Sequence, residues 1–68
     1  MLRDRIIKDL DKTQSCVDPI AQRLGVPIAE IERELKAMLV EDIVHKSLIM
    51  DFLPVYRLTE KTRQSLHS

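Results

Sequence analysis

The spacing of apolar residues changes once along this 68-residue chain, at Asp42, and that switch restricts the folds open to it. Ahead of Asp42 apolar residues recur at helical intervals; beyond it they come in short runs of β type. Leu2, Ile6, Ile7 and Leu10 stripe one face of an opening helix over about Leu2 to Lys12, with Arg, Asp and Lys on the other side. Thr13-Gln14-Ser15 break the stripe, and Cys16-Val17 reads as one short strand. Asp18-Pro19 predicts a second helix start, with Asp capping free N–H groups and Pro in the first helical position. Ile20, Ala21 and Leu24 form its apolar side, and Gly25 ends it where a positive φ is least costly. Pro27 opens a third helix by the same first-turn logic. Ile31, Leu35, Met38 and Leu39 carry its apolar face to about Glu41 and are read as core.

The runs Ile43-Val44, Leu48-Ile49-Met50 and Val55-Tyr56-Arg57-Leu58 are split by Lys46-Ser47 and by Asp51 to Pro54. They predict two antiparallel strands, with Pro54 in the turn or at an edge because it lacks an N–H for a ladder. Thr59 then caps a short last helix from Glu60 to Leu66.

Length and composition narrow the function classes. Sixty-eight residues suffice for one domain, 1–68, and leave no walls for a large catalytic pocket. At 44% hydrophobic and 32% charged, with a single Gly, the chain has a folded rather than a disordered profile. Eleven basic and eleven acidic side chains exclude a polybasic tail but not a locally basic face. Cys16, alone, forms no internal disulfide, which points to a reducing compartment and the cytoplasm. Met1 to Arg5 mixes charges and leads into no long apolar run, so neither a signal peptide nor a membrane partner is expected. Cys16, His45 and His67 lack metal-ligand spacing, and no metal or cofactor is expected. Nothing orders Ser, His and Asp into a triad, and one Gly builds no phosphate-cradling loop, so the chain reads as no enzyme.

The stretch Ile20-Ala21-Gln22-Arg23-Leu24-Gly25-Val26, followed by Ile31, Leu35, Met38 and Ile43-Val44, resembles the helix-turn-helix of winged-helix proteins. The spacing suits close crossing at small Ala21, a tight turn at Gly25, and a branched plug at Ile31. Val55-Tyr56-Arg57-Leu58-Thr59-Glu60-Lys61 is similar to the strand that leaves the wing and enters the closing helix in MarR-type regulators. The resemblance covers essentially the whole chain. It implies an α+β winged helix-turn-helix: a three-helix core, a two-strand β-wing and a short C-terminal helix. Three positions depart from the family pattern. Asp42 stands where Gly often precedes the wing, Thr62 stands where Gly often follows the Leu-Thr pair, and the wing tip from Leu48 to Pro54 lacks the usual Arg and Gly.

The resemblance implies double-stranded DNA as partner, in a small transcriptional regulator acting as a homodimer. Pro27, Ile28, Ala29, Glu32, Arg33 and Lys36 then face the major groove. Arg33 could read guanine, Ile28 or Ala29 a thymine methyl, and Glu32 cytosine. Lys36, Arg57, Lys61 and Arg63 are expected on phosphates. Segment charges oppose this. Residues 1–17 carry four basic and three acidic groups, net +1; residues 18–45 carry three and six, net −3; residues 46–68 carry four and two, net +2. Glu30, Glu32 and Glu34 would repel phosphate. An alternative is therefore a protein-interaction module on the same fold. Leu48, Ile49, Met50, Phe52 and Leu53 form either a partner or dimer surface, or a segment partly folded back onto the first helix.

Overall fold

A computed structural model describes residues 1–67. Its elements run α1 (Leu2–Lys12), α2 (Val17–Leu24), α3 (Ile28–Val40), β1 (Val44–Ile49), β2 (Leu53–Leu58) and α4 (Glu60–His67). The two strands pair antiparallel, from Val44 opposite Leu58 to Ile49 opposite Leu53. Ile6 and Leu10 of α1, Ile20 and Ala21 of α2, and Ile31, Leu35 and Met38 of α3 meet Val44, Tyr56 and Leu58 in one core. This is the winged helix-turn-helix arrangement of an α+β fold.

The α2–α3 turn follows its residues closely. Gly25 lies in the left-handed region (φ 66°, ψ 37°), and the Val26 N–H reaches back to the Ala21 carbonyl at 3.1 Å. No atom lies within 4 Å of where a Cβ would stand on Gly25, so the backbone angle alone sets the requirement there.

Other boundaries differ from the sequence reading. α2 begins at Val17 with Cys16 as N-cap, so Asp18 sits in the first turn, where its charge complements the helix dipole, and makes no capping hydrogen bond. The short strand is Ser15, not Cys16-Val17: the Ser15 N–H donates to the Tyr56 carbonyl (3.0 Å) and the Tyr56 N–H to the Ser15 carbonyl (2.8 Å). Pro27 is the N-cap of α3, with extended ψ, and its carbonyl accepts from the Glu30 and Ile31 N–H groups. Lys46-Ser47 does not interrupt β1, because alternation puts Lys46 on the same face as buried Val44 while its head reaches solvent. Pro54 pairs within β2, opposite Leu48, which a sheet of two strands permits at its edge. Leu39 is only half-buried, beside the core rather than in it.

The family departures at Asp42 and Thr62 have local explanations. Asp42 has φ 61°, the conformation a glycine adopts freely. Beside it, the Thr59 hydroxyl donates to the Asp42 carbonyl (2.9 Å) and accepts from the Thr62 N–H (3.3 Å), which makes Thr59 the N-cap of α4. The Thr62 hydroxyl donates to the Ile43 carbonyl at 3.0 Å, and the Thr59 N–H donates to the same oxygen at 3.1 Å. Thr62 thus ties α4 to the start of β1 in a way glycine could not. A left-handed residue other than glycine costs about 1–2 kcal/mol, and glycine's extra unfolded-state freedom returns about 0.5–1 of that. Asp42→Gly is therefore expected to raise stability by about 0.5 kcal/mol, a Tm gain of about 2–4 °C, and Asp42→Val to lower it. Thermal melts of both variants check this.

Candidate nucleic-acid interface

Helix α3 buries Ile31, Leu35 and Met38, which leaves Pro27, Ile28, Ala29, Glu32, Arg33 and Lys36 exposed at or beyond its N-terminal half. The turn beside it aims this face away from α1 and toward the hairpin. Ala29, Glu32, Arg33, Lys36 and Leu39 of α3 share an open cleft with Lys46 of β1 and Tyr56 of β2. Pro27 and Ile28 lie outside it, in a separate groove with Asp18, Gln22 and the α2–α3 turn.

Sequence reasoning missed Lys46. Strand alternation would have found it: Val44 faces the core, so Lys46, two residues on, faces the same way, opposite Tyr56. Arg33, Lys36 and Lys46 have no ion-pair partner among the described residues.

Two of the six acidic residues of 18–45 are held away from this cleft. Arg3 of α1 donates through Nε to Glu34 (2.8 Å) and through its terminal nitrogens to Glu41 (2.8 and 3.0 Å). Those bonds, Glu41 first and then Glu34, hold the Arg3 guanidinium above its ordinary pKa. Asp9 is paired with Arg23 at 2.6 and 2.8 Å, which raises Arg23 likewise. The Arg5 guanidinium caps the end of α2 at the Leu24 carbonyl (2.6 Å). Glu32 alone among the acids lines the α3 cleft, so three cations face one carboxylate there, net +2. The cleft is thus net positive although residues 18–45 as a whole are not: Asp18, Glu30 and Asp42, all exposed, lie outside its lining.

Tyr56 is buried at the cleft floor. Burial, and secondarily the Glu32 charge, push its phenol above the usual value of 10.0. A group whose pKa is raised on folding binds its proton more tightly folded than unfolded. Its stabilising contribution is full below pH 10 and falls away as pH rises through the folded value. Because Tyr56 is the only tyrosine and the chain has no Trp, phenolate absorbance reports this one site. Its titration midpoint is expected above 10, with Glu32→Gln moving it down.

Arg57 and Arg63, expected on phosphates, lie on the face of the hairpin away from α3, in a second cleft with His45. Lys61 is exposed on α4. Leu48, Ile49, Met50, Phe52 and Leu53 do not fold back onto α1: all five are exposed, from 42% for Leu53 to 76% for Met50. The turn between them, with the Phe52 N–H bonded to the Ile49 carbonyl at 3.3 Å, holds Met50 and Asp51 at φ 57° and 67°. Those are type I′ angles, adopted here without the usual Asn or Gly.

Comparison with solved structures identifies the fold class. The chain superposes on a single-substitution mutant of ZitR from Lactococcus lactis with TM-score 0.86 and 21% identity, over 96% of this chain and 46% of that one. Another ZitR mutant, solved in complex with DNA, gives TM-score 0.79, 21% identity, and 96% and 49% coverage. A double mutant of ZitR in apo form gives 0.87, 21%, 96% and 51%. The chain therefore spans about half the length of the solved structures it matches. No family model matches the sequence, and no curated protein matches it.

The expectation of no metal partner is corrected by this comparison. One of the similar ZitR structures is of an apo form, which implies a ligand-bound counterpart, so the architecture does not exclude a bound metal. Spacing of Cys and His along one chain was too weak a basis, since metal ligands are assembled in space. Among the described residues no group of three or more His, Cys, Asp or Glu is placed to hold an ion. No helix among them is long and apolar enough to cross a membrane.

Proposed function

We propose that this chain is a small winged-helix DNA-binding protein, a transcriptional regulator of MarR-like type, with α3 in the major groove and the hairpin along the backbone. The observation that supports it most is the net-positive cleft between α3 and β1, where Arg33, Lys36 and Lys46 stand unpaired. Cations there neutralise phosphates and release counterions, which supplies affinity. Arg33 is suited to guanine, Ile28 and Ala29 to a thymine methyl, and Glu32 to the cytosine amino group. The DNA complex of the structurally similar ZitR supports the same reading. One winged-helix module buries limited DNA surface, which favours a homodimer, and the lone Cys16 suits the cytoplasm.

Fluorescence anisotropy on mixed-sequence duplex DNA tests the proposal. Binding at low salt that weakens linearly with the logarithm of salt concentration is expected. No binding at low salt overturns it.

A second reading rests on the exposed Leu48, Ile49, Met50, Phe52 and Leu53. A contiguous apolar tip of this kind suits a protein partner or a second copy of the chain. Under it, Phe52→Asp or Ile49→Asp abolishes association while Arg33→Ala does little.

A further inference from the structure

The face of the hairpin turned away from α3 carries two further arginines beside a histidine. His45 and Arg57 are direct cross-strand partners, so their side chains leave the sheet on the same side. Arg63, whose N–H closes the first turn of α4 on the Thr59 carbonyl (3.0 Å), comes to the same place. Together with Leu58, Thr59 and Glu60 they line an open cleft of about 490 Å³.

Neither Arg57 nor Arg63 has a hydrogen-bonded or ion-paired partner among the described residues. Every other arginine except Arg33 does: Arg3 on Glu34 and Glu41, Arg5 on the Leu24 carbonyl, Arg23 on Asp9. The one carboxylate on the cleft, Glu60, accepts from Gln64 at 3.4 Å and pairs with neither guanidinium. Two guanidiniums without partners at one cleft, with an imidazole beside them, leave several N–H donors free for an anion. Planar guanidinium forks fit a tetrahedral oxyanion through paired N–H···O bonds, which ammonium groups do not.

We infer that His45, Arg57 and Arg63 form a phosphate-group site on the outer face of the wing, separate from the α3 cleft. The phosphate is either a DNA backbone phosphodiester, reached when the duplex extends past the wing, or the phosphate of a free small molecule. Arg57 and Arg63 supply the paired donors, His45 a further ring N–H, and the Thr59–Glu60 backbone the wall. The site goes beyond the α3 reading and does not require it.

Two-dimensional NMR of the intact chain tests this, following the Arg57 and Arg63 Nε–Hε and the His45 ring signals. The probes are inorganic phosphate, pyrophosphate and duplex DNA, each against sodium chloride at matched ionic strength. Saturable shifts of these three residues with phosphate or pyrophosphate are expected, weakened at least tenfold by Arg57→Gln with Arg63→Gln. If that double variant also weakens duplex binding and lowers its salt slope by about 1.8, the phosphate is the DNA backbone. If it leaves duplex binding unchanged, the phosphate belongs to a free compound. The inference is overturned if the three residues fail to respond to any probe, or respond equally to chloride. Failure of the α3 reading is separately visible, as duplex DNA that does not shift Arg33 and Lys36.

Discussion

Replacing Arg33, Lys36 and Lys46 together with glutamine lowers affinity for duplex DNA by about 10²–10³-fold at about 50 mM salt and reduces the salt slope by about 1.8. The slope follows from two phosphate neutralisations, by Lys36 and Lys46, at about 0.9 each, while Arg33 reads a base. All three side chains are exposed and unpaired, so the triple variant keeps its fold and its melting temperature. Two controls separate this cleft from net charge in general. Glu32→Gln removes the one carboxylate of the cleft and strengthens binding. Glu34→Gln, the same change in formal charge, acts on a group already held by Arg3 and leaves DNA affinity nearly unaltered. Anisotropy titrations at four salt concentrations measure both the affinity and the slope. A loss of less than threefold for the triple variant refutes the assignment of this cleft.

Lys46 shows how much of that surface could be read in advance. The exposed face of α3 was legible because helical periodicity is local: once Ile31, Leu35 and Met38 are inside, Glu32, Arg33 and Lys36 are outside. Lys46 was lost with its strand. Lys46-Ser47 looked like a polar break, although alternate residues of a half-buried strand are expected to be polar. Helix α1, the Gly25 turn and the Thr59 cap were legible for the same local reason.

Charge was not legible in this way. Segment totals make the helix-turn-helix acidic, but Arg3 reaches Glu34 and Glu41 from 31 and 38 residues away. Only the packing of α1 across α3 reveals that those acids are held away from the exposed face. Exposed pairs of this type contribute little stability individually, about 0–1 kcal/mol. Their consequence lies in which charges remain for a partner. The hairpin faces were hidden for the converse reason. Arg57 sits one residue from Tyr56, yet alternation sends it to the opposite side of the sheet, with His45 rather than with α3.

The core is where a single substitution has the largest effect on folding. Leu35 is fully buried, midway along α3, within the cluster that α1, α2 and both strands share. Leu35→Ala removes three carbon atoms, with a cavity that neighbours on four elements close only in part, and this costs about 2–5 kcal/mol. Domains gain about 0.05–0.15 kcal/mol per residue, so 68 residues supply only about 3–10 in total. Leu35→Ala is therefore expected to lower Tm by about 10–30 °C and to leave a measurable unfolded fraction at about 25 °C. Leu39→Ala makes the same chemical change four residues along, on a side chain that is half-buried at the edge of the cleft. Its expected loss is about 1 kcal/mol, since part of that side chain already meets water. Urea denaturation of the two variants gives the ratio directly. Equal losses would mean that the core does not extend along α3 as the burial of Ile31, Leu35 and Met38 requires.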